Sequence, residues 1–280
     1  MLSYRHAFHA GNHADVLKHM VQTQLLHYLM QKSKPFWYID THAGAGCYDL
    51  GGDYAQKTAE YVDGIARLWE RDDLPEALQE YVAQVRRVNP DGRLAFYPGS
   101  ALLARNLLRA EDKAHLFELH TSDFPLLQQA VGGGRQVQCH AQDGLKNLKS
   151  LLPPVPRRAL VLIDPPYEQR SEYSAVVSTL KDALQRFPTG MYAVWYPQLQ
   201  KREVNDMLVA LKALSPAQYL HVALTVHGPG EDGFGMHGSG MWVINPPWTL
   251  AQQLQQTLPW LCEVMAQDGE ASWHLDVQTQ

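Results

Sequence analysis

Apolar residues in this chain fall into short continuous runs, separated by glycine- and proline-rich turns and by longer stretches of helical period. Ala159-Leu160-Val161-Leu162-Ile163 is the clearest run. A run that short reads as a strand buried on both faces, as in a parallel sheet covered by helices. It stops at Asp164-Pro165-Pro166-Tyr167, where two prolines remove backbone donors and end the ladder. Further strands are expected over 36–40, 115–119, 136–140, 191–196, 219–226 and 240–244. Helices are expected over 12–31, capped by Asn12, over 101–109, capped by Ser100, and over 173–186 and 201–214. Seven strands alternating mainly with helices predict an α/β, doubly wound sheet. Residues 50–94 break the alternation with helix-like stretches at 58–69 and 74–87, Pro75 suiting a first turn. They predict a helical insertion within a single domain spanning 1–280.

The strand ends carry the candidate chemistry. The first strand runs into Asp40-Thr41-His42-Ala43-Gly44-Ala45-Gly46, a glycine turn that lets a ligand approach backbone closely. The spacing is not the dinucleotide fingerprint Gly-x-Gly-x-x-Gly, and no Walker lysine follows, which disfavours nicotinamide and nucleoside-triphosphate sites. Glu118 ends the second strand, where an acid in nucleoside-binding α/β folds accepts from ribose hydroxyls. Asp143-Gly144 follows the third strand and suits an adenine amino group and close backbone approach; Asp-Gly is equally common turn chemistry. At the fourth, Asp164 and the Pro165 carbonyl offer two acceptors, and Tyr167 an aromatic plate, for a planar ring bearing an amino group. Asn245-Pro246-Pro247-Trp248 resembles this motif. However, a short link makes the last two strands an antiparallel hairpin, which puts that turn on the opposite rim. The segment 3–11 is polar, aromatic and basic, either a frayed tail or a cover over the site; Lys18 and His19 are ambiguous, and by spacing alone such residues are more often surface than ligands.

Composition narrows the class. The chain has 280 residues, 45% hydrophobic, long enough for a full core. No apolar run approaches the ~20 residues of a membrane span, and residues 1–9 lack a signal-peptide apolar region. Three scattered cysteines fit a reducing cytoplasm and give no zinc spacing. The formal net charge of −5 disfavours strong non-specific nucleic-acid binding and leaves room for few, local contacts.

Together the glycine loop, Glu118, Asp143-Gly144 and Asp164-Pro165-Pro166-Tyr167 resemble a Rossmann-like class I S-adenosylmethionine-dependent methyltransferase of the amino-methylating type. The run His9 to His19, Asp40 to Gly46, Tyr97-Pro98-Gly99-Ser100 and Ile163 to Tyr167 resemble the bacterial large-subunit ribosomal RNA adenine-N6 methyltransferases of the RlmJ type, over essentially the whole chain. The resemblance implies a methyl donor, S-adenosylmethionine, held by His19, His42, Ser100, Glu118, Asp143, Gly144 and Asp164, with Lys18 beside it. It implies Asp164 as the catalytic residue and Tyr4 as a contact to 23S ribosomal RNA, with no metal, no membrane and a cytoplasmic monomer. Arg5, His6 and His9 would then be phosphate donors on a mobile tail that orders over RNA. An amino methyltransferase of DNA adenine or protein glutamine, and a non-catalytic RNA-binding protein, are the competing classes.

Overall fold

The computed structural model describes residues 5–214, 218–230 and 235–278. A 3-10 turn, His6–Phe8, leads into α1 (His13–Met30), where the Asn12 side chain accepts the Asp15 backbone N–H at 2.9 Å. The chain continues through β1 (Trp37–Asp40), β2 (Cys47–Asp49), α2 (Asp53–Thr58), α3 (Ala66–Trp69), α4 (Glu76–Arg87), β3 (Phe96–Pro98) and α5 (Ser100–Leu107). It then alternates: β4 (Lys113–Phe117), α6 (Asp123–Val131), β5 (Val137–His140), α7 (Gly144–Asn147), β6 (Ala159–Ile163), α8 (Arg170–Arg186), β7 (Met191–Gln198), α9 (Arg202–Leu214). It ends with β8 (Tyr219–Thr225), β9 (Gly238–Ile244), α10 (Trp248–Met265) and β10 (Ser272–Gln278).

The main sheet runs β10-β8-β9-β7-β6-β1-β4-β5. Its β7-to-β5 portion is parallel, while β9 is antiparallel to both neighbours and β10 to β8. The expected class holds, but the sheet has eight strands, not seven. The eighth, β10, is an exposed edge with no apolar run to announce it. From β1 the chain moves outward to β4 and β5, then returns to β6 on β1's other side. The crevice at the carboxyl ends of β1 and β6 is therefore the switch point where such sheets bind ligands.

β6 explains its own sequence. Leu160 and Leu162 enter the core beneath α1, α4 and α10, and Ala159, Val161 and Ile163 enter the core beneath α8 and α9. Both faces are covered, so every position is apolar. Ile65, Leu68, Leu78, Tyr81, Val82 and Val85, from the segment expected to be an insertion, belong to the first of these cores. Within that segment the expected 58–69 helix is divided between α2, a 3-10 turn at Glu60–Asp63 and α3, and Pro75 is the cap of α4. Gly99, not Ser100, occupies the cap of α5; Ser100 is its first residue.

Candidate active site

A cavity of about 770 Å³ opens at the carboxyl ends of β1, β4, β5 and β6. Its wall includes Lys18, His19, His42, Ser100 and Glu118, and also Asp143, Gly144, Asp164 and Pro165. Residues separated by up to 146 positions thus meet in one place: the Lys18 ammonium donates to Asp164 Oδ2 at 2.6 Å. The same ammonium lies 2.8 Å from Asp15 Oδ1, so one buried cation bridges two carboxylates. Burial works against charging Lys18, but the two carboxylates outweigh it and raise its pKa. Burial pushes the Asp164 carboxyl up to about 6, against the pull of Lys18. Asp164 Oδ1 has no protein hydrogen bond among the described residues and remains as an acceptor beside Pro165.

Asp15 is the hub of this cluster, and the sequence does not mark it, because an acid in a helix's first turn is accounted for by the helix dipole. It is 1% exposed, and its Oδ2 accepts from the Gly11 backbone at 2.9 Å and lies 2.8 Å from His6 Nε2. Burial alone would raise its carboxyl; His6, Lys18 and His19 hold it well below the usual range. His19 is buried with Nδ1 2.7 Å from the Tyr97 hydroxyl, and its Nε2, 4.0 Å from Asp15 Oδ1, has no hydrogen-bond partner among the described residues. Burial holds its pKa near 3, so it is a neutral ring.

Asp40, at the end of β1, accepts from the Tyr38 and Ser100 hydroxyls, both at 2.7 Å, and from the His42 backbone at 3.2 Å. It ties the glycine loop to α5. The Ser100 hydroxyl is therefore committed to Asp40 and not turned to the cavity as a free donor. The loop turns at Gly44, with φ +61°, and the Gly44 N–H donates to Glu118 Oε2 at 2.9 Å. Glu118 Oε1 accepts from His120 N–H at 2.6 Å. Each oxygen keeps a free lone pair, and burial raises the carboxyl's pKa. Asp143 caps α7 through the Lys146 N–H at 3.1 Å. A Cβ on Gly144 would lie 2.2 Å from the Thr41 carbonyl oxygen, so this glycine is required for contact between the loops after β1 and β5.

Two expectations need correction. Tyr167 does not line the cavity: it is 2% exposed, with φ +52°, and its hydroxyl donates to the Trp195 carbonyl at 2.8 Å. Its ring packs 4.6 Å from Tyr173. Trp195 and Tyr48 are aromatic side chains in the wall, and the Lys18 ammonium lies 5.5 Å from the Trp195 ring. Nothing in the run Met191 to Tyr196 marked that tryptophan, because strand periodicity alone does not say which end meets a ligand. The N-terminal segment is also tied down from Arg5 onward. Arg5 donates to Asp123 at 2.9 Å and to the Tyr54 hydroxyl at 2.7 Å, and His9 meets Glu60 at 2.8 Å. With His6 on Asp15, these side chains are engaged by protein groups and not displayed for phosphate. Tyr4 lies outside the described residues.

Among the described residues no group of three or more His, Cys, Asp or Glu is placed to hold a metal ion. No described helix is long and apolar enough to cross a membrane.

The family described as ribosomal RNA large subunit methyltransferase D, RlmJ, matches residues 33–278. The chain belongs to this family. Ribosomal RNA large subunit methyltransferase J of Escherichia coli K12 is 51% identical over 93% of each chain. The protein of the same name from Haemophilus influenzae is 44% identical over 99% of this chain and 98% of its own. A crystal structure of a Legionella pneumophila protein, 35% identical, superposes with a TM-score of 0.90 over 97% of this chain and 99% of that one. The RlmJ family match begins at residue 33, after the α1 residues Lys18 and His19, and takes in the wall residues from Thr41 to Trp195 on β7.

Proposed function

We propose that this chain transfers a methyl group from S-adenosylmethionine to the N6 amino group of one adenosine in 23S ribosomal RNA, as a cytoplasmic monomer. We infer likewise one methyltransferase domain, 1–280, carrying 50–94 as a helical insertion. The observation that carries the reading is Asp164, held by a buried Lys18 at the switch point, with Oδ1 and the Pro165 carbonyl left as acceptors.

The cavity fits the donor chemically. Glu118 keeps lone pairs for ribose hydroxyls, Asp143 would accept from the adenine amino group, His42 lines the same wall, and His19 presents a nitrogen without a hydrogen bond there. Ser100 contributes through Asp40, and Gly144 by letting the two loops close. When bound, S-adenosylmethionine supplies an electrophilic methyl group on a sulfonium.

The remaining work is done by the protein. An adenine amino nitrogen is a poor nucleophile because its lone pair is delocalised into the ring. Accepting its two N–H bonds at Asp164 Oδ1 and the Pro165 carbonyl favours a more tetrahedral nitrogen with its lone pair free. As the N–C bond forms, the methyl–sulfur bond would break and leave S-adenosylhomocysteine, and Asp164 would take the proton released from the nitrogen. Lys18 fixes the carboxylate's orientation and keeps it charged. Trp195 supplies the apolar wall, and Tyr167 positions Trp195 through its carbonyl. The target base must be unpaired or flipped to enter, and Tyr4 is the proposed contact to the RNA beside it. Naked or partly assembled RNA is the expected substrate, since a mature ribosome buries its bases.

The test uses purified protein, labelled S-adenosylmethionine and three acceptors: large-subunit ribosomal RNA, DNA and a glutamine peptide. Label appearing as N6-methyladenosine in the RNA alone is the expected result. Label on DNA or peptide, or donor binding with no transfer, assigns the site to a competing class.

A further inference from the structure

A second cavity, of about 470 Å³, lies on the rim of the sheet opposite the active site. Its place follows from the topology: it is bounded by the first residues of β6 and β7, Ala159 and Met191, and by Asn245, just after the antiparallel β9. Among the described residues three cations line it, Lys32, Arg157 and Arg158, and no aspartate or glutamate does. The chain as a whole carries a formal charge of −5, so this is a local reversal of sign. Trp248, the first residue of α10, also lines the cavity and is 78% exposed.

The turn that presents Trp248 is held rigidly. Asn245 has φ +54°, in the left-handed region, and its amide donates to the carbonyls of Pro188 at 2.8 Å and Gly190 at 2.6 Å. Pro246 and Pro247 follow with restricted backbones. Arg158 donates to the Leu29 carbonyl at 2.6 Å and to that of Lys34, which caps the end of α1. Capping explains Arg158. It explains neither the exposed Trp248, nor the side chains of Lys32 and Arg157, which form no ion pair among the described residues.

An open indole face beside acid-free positive charge suits a nucleotide: the base stacks and the phosphates meet the cations. We propose that this cavity is a second RNA-binding site, taking one unpaired nucleotide of the substrate RNA away from the target adenosine. Trp248 is the stacking plate, and Lys32, Arg157 and Arg158 hold the adjoining phosphates. This rests on the reading of the protein as an RNA-modifying enzyme. Charge favours the placement: the active-site wall contains Glu118, Asp123, Asp143 and Glu172, whereas the described residues put no carboxylate in the wall of this second cavity. RNA gripped at the far rim reaches the active site without needing a positive field there.

Wild type, Trp248→Ala and Arg157→Glu are compared in four measurements. These are anisotropy with a transcribed domain of large-subunit ribosomal RNA across salt concentrations, calorimetry with S-adenosylmethionine, steady-state methylation and sedimentation. Trp248→Ala is expected to weaken RNA binding and raise the RNA KM about 5- to 150-fold, the range for a lost stacking contact. Arg157→Glu is expected to weaken binding and to lower the logarithmic salt slope by about one. Donor affinity, and kcat at saturating RNA, stay near wild type in both. Unchanged RNA affinity and salt slope in both variants overturn the proposal. So does a wild-type dimer that Trp248→Ala converts to monomer, which makes the surface an interface between copies. A wild type that binds RNA but methylates none defeats the proposed function alone, because the binding comparison still reads the cavity. A wild type that binds no RNA overturns both.

Discussion

At the scale of single residues, Asp164 is under two opposing forces, burial that disfavours its charge and a Lys18 ammonium 2.6 Å away that favours it. In the proposed mechanism the carboxylate is the form that accepts the amino proton, so that mechanism requires it ionised. With its pKa near 6, kcat is expected to be level at neutral pH and to fall as pH drops through about 6. His19 and His42, held near 3 and 4 by burial, stay neutral across that window and do not produce the fall. A pH–rate profile at saturating RNA and donor checks this; a flat profile from 7.5 to 5 contradicts it. Asp15→Ala removes the hub beneath Lys18 and leaves a buried ammonium with one partner. The expected loss is about 3–5 kcal/mol of folding stability, read by denaturant unfolding. Glu118→Ala is expected to weaken donor binding by roughly 1.5–3 kcal/mol in calorimetry, through lost hydrogen bonds to a charged acceptor. Asp164 and Glu118 were legible in the sequence because each directly follows a strand, where an acid has no core role, and Asp143 because it sits in the turn between β5 and α7 beside a glycine. Asp15 was not: an acid in a helix's first turn is fully accounted for by the dipole, and only the folded chain brings Lys18, His6 and Gly11 to it.

At the scale of elements, the strand–turn units carry the site, and their turns are built for contact with one another. Gly144 shows this best, since a Cβ there would lie 2.2 Å from the Thr41 carbonyl oxygen and 2.6 Å from its Cα. Gly144→Ala is expected to force apart the loops after β1 and β5, lowering both Tm and donor affinity. Thermal melting with and without donor checks it, and a variant with wild-type values in both overturns the packing role. The parallel strands and α1, α8 and α9 were readable from their periodicity, and the 159–163 strand to the residue. The edge strand β10 was not, because its positions are mostly exposed and no face of it alternates cleanly. The fate of Tyr167 was hidden for a related reason. A left-handed backbone at a non-glycine position turned its ring inward, so that it positions Trp195 in place of lining the cavity itself.

At the scale of the whole molecule, charge and topology divide the labour. One rim gathers carboxylates around the cavity proposed to take donor and base, and the opposite rim gathers cations around Trp248. The 50–94 segment contributes Ile65, Leu78 and Tyr81 to the core over α1, which makes it a buttress for the helix that carries Asp15 and Lys18. A protein with net charge −5 gains little from non-specific attraction, so protein-free or partly assembled RNA is expected to be methylated faster than intact large subunits. The most direct test of the account is mass-spectrometric mapping of N6-methyladenosine in ribosomal RNA from cells that lack this protein. The RNA is mapped before and after restoring the wild type or a folded Asp164→Ala variant. One large-subunit adenosine is expected to be unmethylated without the protein, methylated with the wild type and unmethylated with the variant. Methylation restored by Asp164→Ala, or no site that depends on the protein, would contradict it.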